Sequence, residues 1–215
     1  MAELTAAGWH GKLPTLGDFA TRRLDPAFIE VWDAWLSAGL ATLRLQPDWL
    51  QAYLASPSWR FVLMPGAMPG RMGDQAWAGV LMPSVDRVGR YYPLTLAYPL
   101  PAPPSNSAEA DSLWRWLTQL DDAAVDALHE DWGLEAFEVE LTRIGVPAIP
   151  CAAMTEGVDS PAATVMAQAS GLWRAGRRDR AYWYAEPVPT QPMLLDSNGL
   201  KESGLVAQLM GAHSR

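Results

Sequence analysis

The 215-residue chain holds one cysteine, Cys151, and only three histidines. A single cysteine excludes an intramolecular disulfide and points to a reducing compartment. His10, His129 and His213 have no cysteine or second histidine at ligand spacing, which removes the usual zinc patterns. No apolar run approaches the ~18 residues that suggest a membrane span. The segment Met1 to His10 lacks the basic start and apolar core of a signal peptide, so a cytoplasmic protein is expected. Basic residues are also scarce: 16 Lys and Arg against 24 Asp and Glu give a net charge of -8. Such an acidic body repels phosphate backbones and anionic lipid surfaces, so neither nucleic-acid binding nor membrane insertion is expected.

Catalytic signatures are missing as well. The chain has no phosphate-binding P-loop, dinucleotide-binding glycine fingerprint, nucleophile elbow or zincin helix motif. Cys151 lies between Pro150 and Ala152 with no nearby cation to activate it, which reads as a structural thiol. Asp122, Asp126 and Glu130 recur at four-residue spacing and could hold a hard cation, but they also describe a solvated helix face. No catalytic residue, metal or cofactor is expected. A hydrolase or transferase with a noncontiguous site is the alternative, since triads assemble across sequence.

What is abundant is tryptophan: eleven, against four phenylalanines. Large rings with one N–H serve cores and binding surfaces alike. Hydrophobic residues make up 49% of the chain, enough for one buried core. Asp25-Pro26 reads as a helix N-cap, followed by an apolar stripe of Phe28, Trp32, Trp35, Gly39 and Leu43. A shorter helix restarts at Gln46 and runs to about Ala55. Trp59–Met64, Trp77–Val85 and Tyr91–Tyr98 predict an antiparallel meander. Asn106 with Glu109 opens a second long helix, whose face carries Leu113, Trp116, Leu117, Leu120, Ala124 and Leu128. Leu134–Ile144 fits a helix or a strand, with helix favoured; 145–171 reads as irregular. Ala181–Glu186 and Met193–Asp196 read as strands, and Ser203–Met210 as a last helix. The expectation is a single α/β domain over 1–215, a mainly antiparallel sheet flanked by helices. Residues 1–100 form its sheet half, and 107–215 a helical and C-terminal part packed on it.

Two stretches are dense in unusual residues. Asp86, Arg87, Gly89 and Arg90 lie in a five-residue polar knuckle, Asp86 to Arg90, between apolar stretches that carry Ser84, Tyr91 and Pro93, the pattern of a β-hairpin. Asp86 suits a turn cap and Gly89 a positive φ. Near the start stand Trp9, Gly11, Lys12, Pro14, Gly17, Asp18 and Phe19. Arg87 and Arg90 could reach a carboxylate such as Asp18 bidentately. Locking of the fold and recognition of a partner are both open for these residues. Arg174, Arg177, Arg178 and Arg180 cluster beside Trp173, which suits phosphate pairing, cation–π stacking or a solvated loop.

Gly11 to Phe19, together with Pro83 to Leu94, resembles the TagF family of type VI secretion accessory proteins. Ser170-Gly171-Leu172-Trp173 with Gly199-Leu200 adds a third match, although this region departs from the family's tryptophan pair. The resemblance implies a longin-like fold and a cytoplasmic post-translational repressor. It also implies a partner, the forkhead-associated (FHA) scaffold protein of the secretion apparatus, which the repressor holds away from assembly. A structural component of the apparatus is a further alternative.

Overall fold

Alternation along the strands decides how the protein is layered. The computed structural model describes residues 5–147, 161–186 and 191–211. In β3 (Trp59–Leu63), Trp59, Phe61 and Leu63 belong to one core and Val62 to the other. β4 (Ala76–Met82) follows suit, with Trp77 and Leu81 in the first core and Ala78, Val80 and Met82 in the second. Every residue of both strands is buried, because helices cover both faces of the sheet.

Five further strands complete the sheet: β1 (Gly8–Gly11), β2 (Ala20–Arg22), β5 (Leu94–Leu100), β6 (Ala181–Ala185) and β7 (Met193–Ser197). The spatial order is β2-β1-β5-β4-β3-β6-β7, and each neighbouring pair is antiparallel. The predicted meander is β3-β4-β5. The β4–β5 ladder stops at Met82 opposite Leu94, short of the predicted strand ends. Pro83 and Pro93 follow, and proline cannot donate to a ladder; beyond them only a lone Val85–Tyr91 bridge remains.

One helical layer contains α1 (Pro26–Leu43), α2 (Trp49–Leu54) and α6 (Leu205–Gly211). Asp25 Oδ1 accepts from the Ala27 N–H at 2.8 Å, and Pro26 opens α1 as the sequence predicts. The buried stripe of α1 is Phe28, Trp32, Leu36, Leu40 and Leu43; Trp35 and Gly39 sit at its margin instead. The opposite layer contains α3 (Ser107–His129), α4 (Leu134–Ile144) and α5 (Pro161–Arg174). Asn106 Oδ1 caps α3 by accepting from the Glu109 N–H at 3.0 Å. α5 corrects the expectation of irregular structure over 145–171; residues 148–160 of that stretch, with Cys151, lie outside the described residues, as does His213. An alanine-rich segment entered through Pro161 favours helix, and Trp173 stacks on Trp114 at 5.4 Å to fix it on α3.

The sheet draws on both halves of the chain. β6 pairs with β3 through four residues and carries β7 beyond it, so the strands are not confined to 1–100. We therefore expect one cooperative unit. Cutting an engineered protease site within Pro101–Pro104 should leave both fragments co-migrating on gel filtration with one unfolding transition. Separation into two stably folded halves would contradict it.

Candidate functional site

The knuckle between β4 and β5 is built around one carboxylate. Gly89 N–H donates to the Asp86 carbonyl at 2.9 Å, and Gly89 has φ +81°, which a glycine adopts without strain. The Asp86 side chain is sealed from solvent. Its Oδ1 accepts from the backbone N–H groups of Val88 at 3.0 Å and Arg90 at 2.9 Å. Its Oδ2 accepts from Lys12 Nζ at 2.5 Å and Arg90 Nε at 2.7 Å. Four donors fill the acceptor capacity of a carboxylate. Burial alone would push this carboxyl up; the Lys12 ammonium, the Arg90 guanidinium and the two amides outweigh it and hold it well below the usual aspartate range.

The N-terminal motif is fastened to that knuckle by its backbone. Ser84 Oγ donates to the Lys12 carbonyl at 2.8 Å, and Arg87 N–H to the Leu16 carbonyl at 3.0 Å. Arg90 Nη2 donates to the Gly17 carbonyl at 2.5 Å. Gly11, at φ +135°, passes so close to the chain that an added Cβ would lie 2.3 Å from the Pro93 carbonyl oxygen. Only glycine fits there. Gly17 has no such constraint. Asp18 is exposed and lies 3.8 Å from Arg90 Nη2, and no ion pair joins it to Arg87. The expected bidentate receptor is therefore not Asp18; Asp86 and the Gly17 carbonyl take Arg90.

Other motif residues are internal. Trp9 is fully buried, donates Nε1–H to Glu138 Oε1 at 2.6 Å and meets Phe137 edge-on. Arg23 grips the same Glu138 carboxylate. Pro93 is buried and Pro14 half-buried. Trp173 belongs to the α3–α5 core, remote from the knuckle in the sheet order. Eight of the eleven tryptophans are buried, leaving Trp35, Trp49 and Trp132 partly exposed.

Where the two motifs meet, the surface opens into a pocket of about 640 Å³ lined by Phe19, Arg44, Trp49, Arg90, Tyr91 and Tyr92. Phe19 is 46% exposed and Val88, at the knuckle tip, 63% exposed. Lys12 Nζ lies 4.8 Å from the Phe19 ring centroid, and the Arg44 guanidinium lies 5.5 Å from that of Trp49. Beneath, Tyr92 donates its hydroxyl to Asp33 Oδ1 at 2.5 Å. Burial, reinforced by Asp33, pushes that phenol above its ordinary range. His10 contacts Thr21 Oγ1 at 2.7 Å through Nδ1, and its Nε2 is buried 3.7 Å from Asp33. Burial lowers the His10 pKa against the pull of Asp33.

The family model described as "TagF N-terminal domain, Type VI secretion system-associated" matches residues 8–144, a stretch that contains both motifs and every residue lining this pocket. The chain belongs to the TagF family. It is thus a type VI secretion system-associated protein. It is also similar to a solved structure, that of PA0076 from Pseudomonas aeruginosa PAO1, with 31% identity and a TM-score of 0.72. That likeness covers 98% of this chain and 96% of the other. No curated protein sequence matches the chain. Trp173 lies beyond the stretch that the TagF model matches.

The remaining sequence candidates disperse. Asp122 and Asp126 on α3 and Glu130 at its C-cap are exposed, and no three His, Cys, Asp or Glu converge as a metal site among the described residues. Arg180 pairs with Asp196 at 2.6 Å and Arg174 reaches the Ser170 carbonyl, so these arginines partly tie β7 and α5. Sequence reasoning missed Asp33, Arg44, Trp49 and Glu138 as neighbours of the motifs. It named Lys12 and Asp86 without pairing them. A lone lysine between Gly11 and Leu13 was the available signal, because a buried cation requires a carboxylate.

Breaking an ion pair in the interior costs about 3–5 kcal/mol because the surviving charge is stranded. Lys12→Met should therefore lower the melting temperature of this TagF-family protein by roughly 10 °C, and Arg90→Ala, at a half-exposed site, by much less. The folded-state pKa of Asp86 lies below its unfolded value, so its contribution is full above about pH 4 and is lost as pH falls through the depressed value. The stability gap between wild type and Asp86→Asn should shrink below about pH 4. A constant gap from neutral pH down to about pH 3 would contradict this linkage.

Proposed function

We propose that this protein is a non-enzymatic, cytoplasmic regulator that represses type VI secretion after translation by binding and sequestering the FHA-domain scaffold protein. The observation that carries the reading is the convergence of the two motif stretches on one face. Their backbones are locked together from below by Asp86, while Phe19, Arg87 and Val88 are exposed at the surface. Exposed apolar side chains held on a rigid loop and rimmed by arginine are the composition of an interaction surface. A locked backbone also reduces the ordering cost of association.

The hydrolase reading finds less support. The His10–Asp33–Tyr92 group supplies the histidine nearest the pocket, yet the free nitrogen of His10 has no access to solvent. A general base must come within hydrogen-bond reach of the proton it removes.

Titration of the purified cognate FHA scaffold protein into this protein should give a saturable complex by calorimetry. Expression in a secreting host should depress assembly of the apparatus. Absence of a complex at concentrations up to about 100 μM, or repression without one, would overturn sequestration.

A further inference from the structure

The pocket between Phe19 and Trp49 has a charge pattern that specifies more than a generic contact. Its lining is largely aromatic: Phe19, Trp49, Tyr91 and Tyr92 all contribute, and Trp49 and Tyr91 meet edge-on at 6.2 Å. Phe19 packs edge-on against Tyr92 at 4.8 Å. Three cations line it, and their partners differ. Lys12 and Arg90 share the Asp86 carboxylate. Arg44, exposed just past the end of α1, forms no ion pair among the described residues; it donates Nη2–H to the Tyr91 carbonyl at 3.2 Å and lies against Trp49. In a chain of net charge -8 an unpaired guanidinium seated on an indole is a prepared carboxylate receptor. Arg87, exposed in the adjoining turn, likewise has no ion pair among the described residues. The one carboxylate lining the pocket, Asp33, is already engaged by the Tyr92 hydroxyl.

We infer that this pocket docks a short acidic segment of a partner protein, with an aromatic or bulky apolar side chain inserted between Phe19 and Trp49 and a flanking carboxylate held by Arg44. A small cationic ligand is disfavoured, because Lys12, Arg44 and Arg90 oppose it. This inference rests on the reading of the chain as a partner-binding regulator and names the chemistry that the partner supplies. Phe19 then serves as a contact, whereas Asp86 acts from below by positioning Arg90 and the loop that carries Phe19.

The test uses a defined probe, the capped synthetic peptide Glu-Asp-Phe-Asp-Glu, titrated by calorimetry into the full chain. A neutral counterpart, Gln-Asn-Phe-Asn-Gln, is titrated in parallel. The acidic peptide should bind with a Kd below about 1 mM and at least about tenfold more tightly than the neutral one. Arg44→Glu and Phe19→Ala should each weaken it about tenfold or more, while Arg44→Lys should retain part of the affinity. Circular dichroism verifies that each variant is folded, and Arg44, lying at the surface, can change without disturbing the core. No binding of the acidic peptide, equal binding of both peptides, or affinity unchanged in Arg44→Glu would overturn the inference. The same variants are then titrated with the FHA scaffold protein. Peptide binding that depends on Arg44, with a scaffold that never binds wild type, sustains the pocket and sinks sequestration. Scaffold binding untouched by either substitution would overturn the pocket as its dock.

Discussion

The structure depends on a carboxylate that has no access to water. Asp86 sits at the closed end of the β4–β5 hairpin, and a charge placed there is tolerated only if donors surround it. Its own turn supplies two amides and a guanidinium; the fourth donor, Lys12, comes from a segment 74 residues earlier. That last contact turns a local turn into a tertiary joint. Once Lys12 is placed, the Ser84 hydroxyl finds the Lys12 carbonyl, Arg87 finds the Leu16 carbonyl and Arg90 finds the Gly17 carbonyl. Arg90 thereby serves two ends at once: Nε on the buried carboxylate and Nη2 on the neighbouring loop. The inner residues are fixed so that the outer ones can be displayed.

The layered fold provides the frame for that joint. β1 lies beside β5, so the strand leading into the N-terminal motif and the strand leaving the knuckle are hydrogen-bonded neighbours. α1 crosses the same face; Trp32 Nε1 donates to Thr95 Oγ1 at 2.8 Å, and the helix end delivers Arg44 to the pocket rim. The Tyr53 hydroxyl, on α2, bonds both the N–H and the carbonyl of Ser84, at 2.8 and 2.9 Å. Three parts of the chain thus converge on one face, and the type VI secretion-associated family model spans all of them.

Some of this was legible in the sequence, and the divisions have physical causes. Helices with capping residues were readable at their starts: Asp25 and Asn106 are local signals for local hydrogen bonds. The meander was readable because each apolar run ended at turn residues. β2, three residues long and half-exposed, carries no periodicity to detect. The α5 segment was obscured because alanine and serine give no sharp apolar stripe, and its anchor, Trp173, acts through tertiary stacking. For the site, motif residues announced themselves by composition, but pairing did not. Asp18 stood as the candidate receptor because it is prominent in the sequence, whereas the carboxylate that answers the cations lies within the turn itself. Arg44 and Trp49 belong to no motif and reach the pocket only because α1 ends and α2 begins beside it.

The Asp86 carboxylate holds both motif loops as one surface. Residue-resolved amide hydrogen exchange on wild type and Asp86→Ala tests it most directly. The amides of Arg87, Val88 and Arg90 should be protected in wild type and exchange at least about a hundredfold faster in the variant. The β6–β7 ladder, at the other edge of the sheet with β3 between it and the hairpin, should keep its protection. Knuckle amides that retain wild-type protection without the carboxylate would contradict the account.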